Sequence, residues 1–273
     1  MSLLGMDTST AASAACVLRS DGEAFEVAPE PATLMARPAH ARELMPAVAA
    51  VMERAGLDYA DLEAIAVGVG PGTFTGLRIG VATARALANA NGLEVRPVSS
   101  LAALAAGIQA EAGAVGRGAD EPAAARSIAA EPAANEPAAA DAAPWLLPVI
   151  DAKRGEVFTA LYEPGGDPKW GPLALRPEEL AEHAGAAAER LPAEGDTPAD
   201  RAGEARHTLL AAGDGSVRFR GVLEAAGIRV MSDDSRAHVV RALHVCRLAA
   251  GVRGVPPQAV LPDYLRAPDA KPQ

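Results

Sequence analysis

Aromatic side chains are scarce: Phe, Trp and Tyr together make up 3% of the 273 residues. The interior must therefore be packed with Ala, Val and Leu, which a hydrophobic content of 49% supplies. Cysteine is scarcer still. Cys16 and Cys246 stand alone, with no CxxC pair, which excludes a thiolate zinc site or a disulfide scaffold and leaves buried, reduced thiols as the expectation. Positive charge is also short, with a net charge of −10. A polyanion is bound by displacing its counterions with Lys and Arg, so the charge argues against autonomous nucleic-acid binding and an RNA role is expected to need a basic partner. No apolar run approaches the roughly 20 residues needed to span a membrane. The apolar start ends at Asp7 with no basic region before it, which excludes an ordinary secretory signal, and the expected location is the cytoplasm.

What is present is a regular alternation of strand and helix signals. Short apolar runs at 3–6, 13–19 and 23–27, with Asp21-Gly22 as a tight turn, predict an opening β-meander. Leu44, Val48, Val51, Met52 and Ala55 recur at helical spacing, with Pro38 suited to the first turn and Pro46 expected to bend the helix. Residues 65–69 read as a buried strand, a small-residue helix runs to about Asn91, and 95–98 restore a strand. This βββαβα-then-β order is the repeat expected of an actin-like lobe. After 145–150 and 156–162, again strands, come helical patterns at 177–183, 217–226 and 237–250, and a strand at 207–212.

Two stretches interrupt the pattern. Residues 110–143 repeat EPAA at Glu121, Glu131 and Glu136, have few large apolar groups and more acids than bases, and predict a mobile surface insertion. A short Ala-rich helix within it is the alternative. Residues 184–206 are similarly rich in Ala, Pro, Gly and acids and predict a loop. The expected organisation is a first lobe at 1–109, the insertion at 110–143, a smaller second lobe at 144–260 and an extended tail at 261–273.

Two motifs bear on chemistry. Asp7-Thr8-Ser9-Thr10 ends the first strand, where an acid and small hydroxyls can stand beside phosphates or simply form a turn. Residues 68–80, GVGPGTFTGLRIG, run from strand through glycine-rich turn to helix start. Free amides at such a helix start can face a phosphate, or the glycines can serve only close packing. No Gly-Lys-Ser/Thr follows and the spacing is not that of a dinucleotide fold, so common P-loop chemistry is excluded. His183, His207, His238 and His244 show no ligand spacing, no nucleophile elbow is present, and Ser99-Ser100 is expected to end a strand and cap a helix.

DTST at Asp7, HARELMP at His40, the long glycine motif at Gly68, PVSSLAAL at Pro97, DAKRGEVFTALY at Asp151, GDGS at Gly213 and PDYLR at Pro262 closely resemble the TsaB (YeaZ) family. The resemblance spans nearly the whole chain outside the two Ala/Pro-rich stretches. It implies an α/β, two-lobed actin-like ATPase fold, each lobe a mixed sheet flanked by helices. It also implies a non-catalytic role in forming threonylcarbamoyladenosine in tRNA, beside a catalytic TsaD-like subunit and a TsaE-like ATPase, with tRNA reached only through the complex. TsaD-like enzymes grip metal with His-x-x-x-His, whereas here His40 is followed by Leu44, so no metal site and no catalytic residue are expected.

The same resemblance places the partner contact on the first-lobe helices at Leu44, Val48, Val51, Met52, Leu77, Val81 and Ala84. A homodimer through those helices is a further expectation. Asp7, Thr8, Ser9, Gly70, Gly72 and Thr73 are the candidate vestigial nucleotide site. No cofactor is required, with ATP or ADP at the interlobe cleft or the partner interface the possibility left open. The competing reading is a self-sufficient actin-like ATPase or phosphotransferase acting through Asp7 and a Mg²⁺-nucleotide.

Overall fold

The computed structural model describes residues 2–115, 143–188 and 208–266. The opening meander forms as expected: β1 (Leu3–Asp7), β2 (Ala14–Leu18) and β3 (Ala24–Val27) pair antiparallel, and β4 (Ala64–Gly70) and β5 (Glu94–Ser99) add in parallel. The resulting order is β3-β2-β1-β4-β5. A second sheet repeats it as β8-β7-β6-β9-β10. Its strands are β6 (Trp145–Lys153), β7 (Glu156–Tyr162), β8 (Pro168–Leu175), β9 (Leu209–Ala212) and β10 (Arg229–Val230). Each lobe is thus a mixed sheet flanked by helices, the two-lobed actin-like fold.

Alternation along the strands sets the layers, because successive side chains leave opposite faces. Leu4, Met6, Ile65 and Val67 project to the outer face of the first sheet. There they meet α1 (His40–Ala55) and α2 (Phe74–Asn91) through Leu44, Val48, Val51, Val81 and Ala84. Both helices stop at a left-handed glycine, Gly56 and Gly92, whose missing Cβ permits that conformation. In the second lobe, Leu147, Val149 and Leu161 pack on α4 (Pro177–Ala188) and, beyond the short α5 (Asp214–Arg218), on α6 (Arg220–Ala225) through Leu180 and Leu223.

The opposite faces of both sheets share one core around α3 (Ser100–Val115) and α7 (Ala242–Ala249). Leu101, Leu104 and Ile108 of α3 pack among Leu146, Ile150 and Leu210, while Cys246 of α7 lies beside Cys16 of β2. Both thiols are buried and free.

Several boundaries differ from expectation. The first lobe does not close at 109, because α3 continues to Val115; buried on many sides, it has no polar face to mark its end. Of the insertion expected at 110–143, the loop expected at 184–206 and the tail expected at 261–273, residues 116–142, 189–206 and 267–273 lie outside the described residues, while 110–115 and 184–188 are helical. The second lobe does not own 237–250: α7 starts at Ala242 after a separate 3-10 turn, Arg236–His238, and packs on β1 and β2 of the first sheet. The helix expected at 217–226 is broken at Phe219 into α5 and α6. Pro38 lies before the first turn of α1, whose N-cap is Ala39. No helix among the described residues is long and apolar enough to cross a membrane.

Candidate functional site

The end of β1 is where the sequence placed its candidate phosphate residues, and the structure brings them together by packing them against one another. Asp7 Oδ1 accepts from the Ser9 amide at 2.8 Å and from Ser9 Oγ at 2.6 Å, and its Oδ2 accepts from Ser100 Oγ at 2.7 Å. Burial pushes the Asp7 carboxyl up from its ordinary range, against the lowering effect of the Ser9 and Ser100 hydrogen bonds. Thr8 Oγ1 donates to the Gly76 carbonyl at 2.7 Å, and the Thr73 amide donates to the Ser9 carbonyl at 2.7 Å.

The glycines of the 68–80 motif make this contact possible. A Cβ on Gly68 would lie 1.8 Å from Asp7 Oδ2, and one on Gly76 would lie 2.0 Å from the Thr8 carbonyl oxygen. At Gly72 and Gly80 it would lie 2.5 Å from Ser9 and 2.4 Å from Thr8 Oγ1. Gly70, at φ 122, leaves room for the carbonyl of Asp263, whose amide in turn donates to the Val69 carbonyl at 2.7 Å. Of the two uses open to the motif, close packing is the one this geometry displays, and the space a phosphate would need beside Asp7 is filled by the chain itself.

Beside this knot lies a cavity of about 490 Å³ lined by the first turns of α1 and α2, including His40, Arg42, Thr73 and Thr75. His40 is 3% exposed, its Nδ1 lies 2.9 Å from Ser13 Oγ, and that hydroxyl is 3.2 Å from Glu43 Oε2. Burial pulls the His40 imidazole below its ordinary value, opposed by the charge of Glu43 and the Thr10 backbone. Its Nε2 and the Thr73 hydroxyl are buried without a hydrogen-bond partner. Leu44, one turn on, is sunk in the outer core rather than turned toward this cavity. The Ser100–Asp7 contact and the Ser13–Glu43 pair escaped the sequence reading; of the expected capping pair, Ser99 is the hydroxyl that caps α3, accepting from the Ala102 amide at 3.3 Å, while Ser100 reaches back to Asp7.

The second lobe carries its own acidic pair. Asp214, at the start of α5, accepts the Asp151 amide at 2.9 Å. It is buried, and desolvation pushes its carboxyl up to about 6. Asp151 is bound by the Lys153 ammonium and the Arg218 guanidinium, each at 2.8 Å. Among the described residues, no three His, Cys, Asp or Glu side chains gather so as to hold a metal ion.

The residues expected at a partner interface need correction. Leu44, Val48, Val51, Met52, Leu77, Val81 and Ala84 are each 6% exposed or less and face their own sheet. Helical periodicity locates an apolar face, and that face went to the core. The faces α1 and α2 turn outward carry Met45 and Ala49, and Phe74, Arg78, Ala82 and Ala86. Phe74 is stacked by Tyr264 at 5.0 Å between ring centres and by the Arg78 guanidinium at 4.5 Å.

Residues 27–125 match the family model described as TsaD, tRNA N6-adenosine threonylcarbamoyltransferase. An uncharacterised protein of Mycobacterium tuberculosis is 45% identical over 102 residues, covering 37% of this chain and 47% of the relative. The tRNA threonylcarbamoyladenosine biosynthesis protein TsaB of Escherichia coli is 31% identical over 166 residues, covering 60% of this chain and 55% of that protein. The matched part thus spans about half the length of these curated relatives. Among solved structures, YeaZ from Pseudomonas aeruginosa superposes with a TM-score of 0.62 at 26% identity, covering 97% of this chain and 99% of that one. TsaB-named relatives, the TsaD-type match over residues 27–125 and the near-complete overlay on YeaZ agree in supporting the TsaB (YeaZ) family and the two-lobed actin-like fold for this chain.

Proposed function

We propose that this chain is a non-catalytic scaffold or regulatory subunit in the formation of threonylcarbamoyladenosine in tRNA, acting by docking a TsaD-like catalytic subunit. The reading rests on its relatives for the pathway, and on one observation for the role: the Asp7 carboxylate is enclosed by Ser9 and Ser100, both oxygens engaged. A self-sufficient ATPase or phosphotransferase would need that carboxylate turned to a nucleotide-bound cation. The net charge of −10 agrees with an indirect route to tRNA through a basic partner.

The docking surface in this reading is the outward face of α1 and α2. Ala49, Ala82 and Ala86 allow helices to approach closely, while Met45 and Phe74 supply apolar contact. A TsaE-like ATPase would join the assembled pair, ATP or ADP would act at the partner interface if at all, and a homodimer would compete for the same face. Co-purification with a TsaD-like protein is the test. Met45→Asp combined with Ala82→Arg should weaken the complex by about 100-fold or more while leaving the unfolding midpoint unchanged. An unaffected complex would remove this face from the proposal, and ATP turnover by the lone chain that disappears in Asp7→Ala would replace the scaffold with the enzyme.

A further inference from the structure

A further cavity, of about 440 Å³, opens where the second half of α3 meets the loop after β10 and the start of α7. That is within the range of small-molecule sites. Which of its polar groups are already satisfied decides what it can take. The acids on its wall are engaged. Glu111 accepts the Ala237 amide at 3.0 Å, and Asp234 accepts from the Ser232 hydroxyl and its own amide, which hold its carboxyl below the ordinary range. The Arg241 guanidinium is engaged as well, by Glu26.

Two donors on the wall are left over. The exposed Arg236 guanidinium has no hydrogen bond or ion pair among the described residues. The His244 imidazole is only 3% exposed, yet neither ring nitrogen has a hydrogen-bond partner among the described residues, and neither is closed off from solvent. Gly107, on the same wall, leaves the ring's edge uncovered: a Cβ there would stand 3.6 Å from both Nε2 and Cδ2. Buried polar atoms in native proteins are almost always paired. The chain offers these nitrogens nothing, so their partner has to come from the cavity.

Charge narrows what that partner is. The charges felt at the ring are those of Arg241 and Arg247, both positive, although the chain as a whole is acidic. An anion is therefore favoured beside His244. Glu111 and Asp234 on the same wall repel any second negative charge, so a monoanion fits better than a dianion. A carboxylate has a single charge and two accepting oxygens, one for the guanidinium and one for the imidazole N–H. We infer that this cavity binds a small organic carboxylate, with its oxygens on Arg236 and on the N–H of His244. Either tautomer serves, because no bond within the chain fixes which nitrogen carries the hydrogen.

Burial, and after it Arg241 and Arg247, hold the imidazole down at about 4, so it is neutral at pH 7. The other charged groups lining the cavity are Glu111 from α3 and Asp234 and Arg236 from the loop. A carboxylate against the ring stabilises the imidazolium, so its titration must move upward when the ligand is bound.

The isotope-labelled full chain should be titrated with sodium lactate, with its neutral amide lactamide and with sodium phosphate, following imidazole nitrogens and backbone amides by NMR. At about pH 7, lactate should shift the His244 nitrogens and the amides of Glu111 and Arg236, and lactamide should bind at least about tenfold more weakly. Phosphate, a dianion at about pH 8, should also be weaker than lactate there. In saturating lactate the His244 midpoint should rise by at least about one unit. Arg236→Gln should weaken lactate about tenfold with an unchanged unfolding midpoint. Gly107→Ala puts a methyl at ordinary contact distance in a helix that alanine suits better than glycine, so it should unfold no earlier than the parent while binding lactate about tenfold less. Stationary His244 nitrogens in the unmodified chain, lactamide or phosphate binding as tightly as lactate, or undiminished binding in Arg236→Gln would each overturn the inference.

Discussion

The two sheets share one strand order, yet the acids at the ends of their first strands live in opposite surroundings. Asp7 ends β1 beneath the glycine-rich turn, is served only by an amide and hydroxyls, and is pushed toward its neutral form. Asp151, near the end of β6, is buried too. There the hydrogen bonds and charge of Lys153, with help from Arg218, outweigh desolvation and hold its carboxyl below its ordinary value. Its neighbour Asp214 carries the desolvation cost instead. Repetition of topology therefore fixed where the acids stand but not what they do, because the side chains that meet them differ: the hydroxyls of Ser9 and Ser100 in one lobe, the cations Lys153 and Arg218 in the other. In the first lobe the turn closes on the acid, whereas in the second two cations reach it from solvent.

Filling the first-lobe contact should produce the largest effect. In Gly68→Ala the new methyl would stand 1.8 Å from Asp7 Oδ2, an atom held by Ser100. A loss of about 3 kcal/mol is expected in denaturant unfolding. Gly155→Ala in the turn after β6 meets nothing within 4 Å and carries only the cost of a left-handed φ of 79, about 1 kcal/mol. Equal losses would dissolve the contrast between a closed turn and an open one.

Asp214→Asn should come next. A carboxyl raised to about 6 when folded binds its proton more tightly than the unfolded chain does, so its contribution is present in acid and is lost as pH rises toward 6. Asn keeps the oxygen that accepts the Asp151 amide and has no charge to bury. The variant should match the parent near pH 4 and be more stable by about 2 kcal/mol at pH 7, measured by unfolding at both values. A parent whose stability does not fall between those values would place Asp214 outside the low-dielectric interior.

How far the sequence could be read depended on whether a signal was local. Strands β1, β2, β4, β6 and β7 were legible because each is an apolar run bounded by turn residues. Strand β8 was not: Pro168, Gly171 and Pro172 break its pattern, and as an edge strand it is mostly exposed. At the site, Asp7 and the glycine motif were visible as residues, but Ser100, 93 positions from Asp7, was visible only as a capping candidate. Periodicity found the apolar sides of α1 and α2 correctly and could not say that the sheet, rather than a partner, takes them. The attachment of α7 to the first lobe depends on Glu26, which accepts from Arg241 and from the Leu243 amide at 3.0 Å, and a contact over more than 200 positions leaves no pattern in the chain.

Arg218→Ala should have the smallest effect and tests whether Asp151 really differs from Asp7. Asp151 Oδ2 receives both Lys153 Nζ and Arg218 Nη1, while its Oδ1 accepts the Lys153 amide, so one cation remains when the other is removed. Arg218 and Lys153 are 48% and 54% exposed, which lets water and salt screen each pair, and a loss of about 0.5 kcal/mol is expected for the single variant. Arg218→Ala with Lys153→Met should lose more than the sum, since a buried carboxylate would then stand without a cation. An acid whose folded value is depressed contributes stability above its unfolded value and loses it as pH falls through the folded one. The coupling measured by the double-mutant cycle should therefore disappear in acid; a coupling that persists there would mean that the two cations hold the turn by packing rather than by charge.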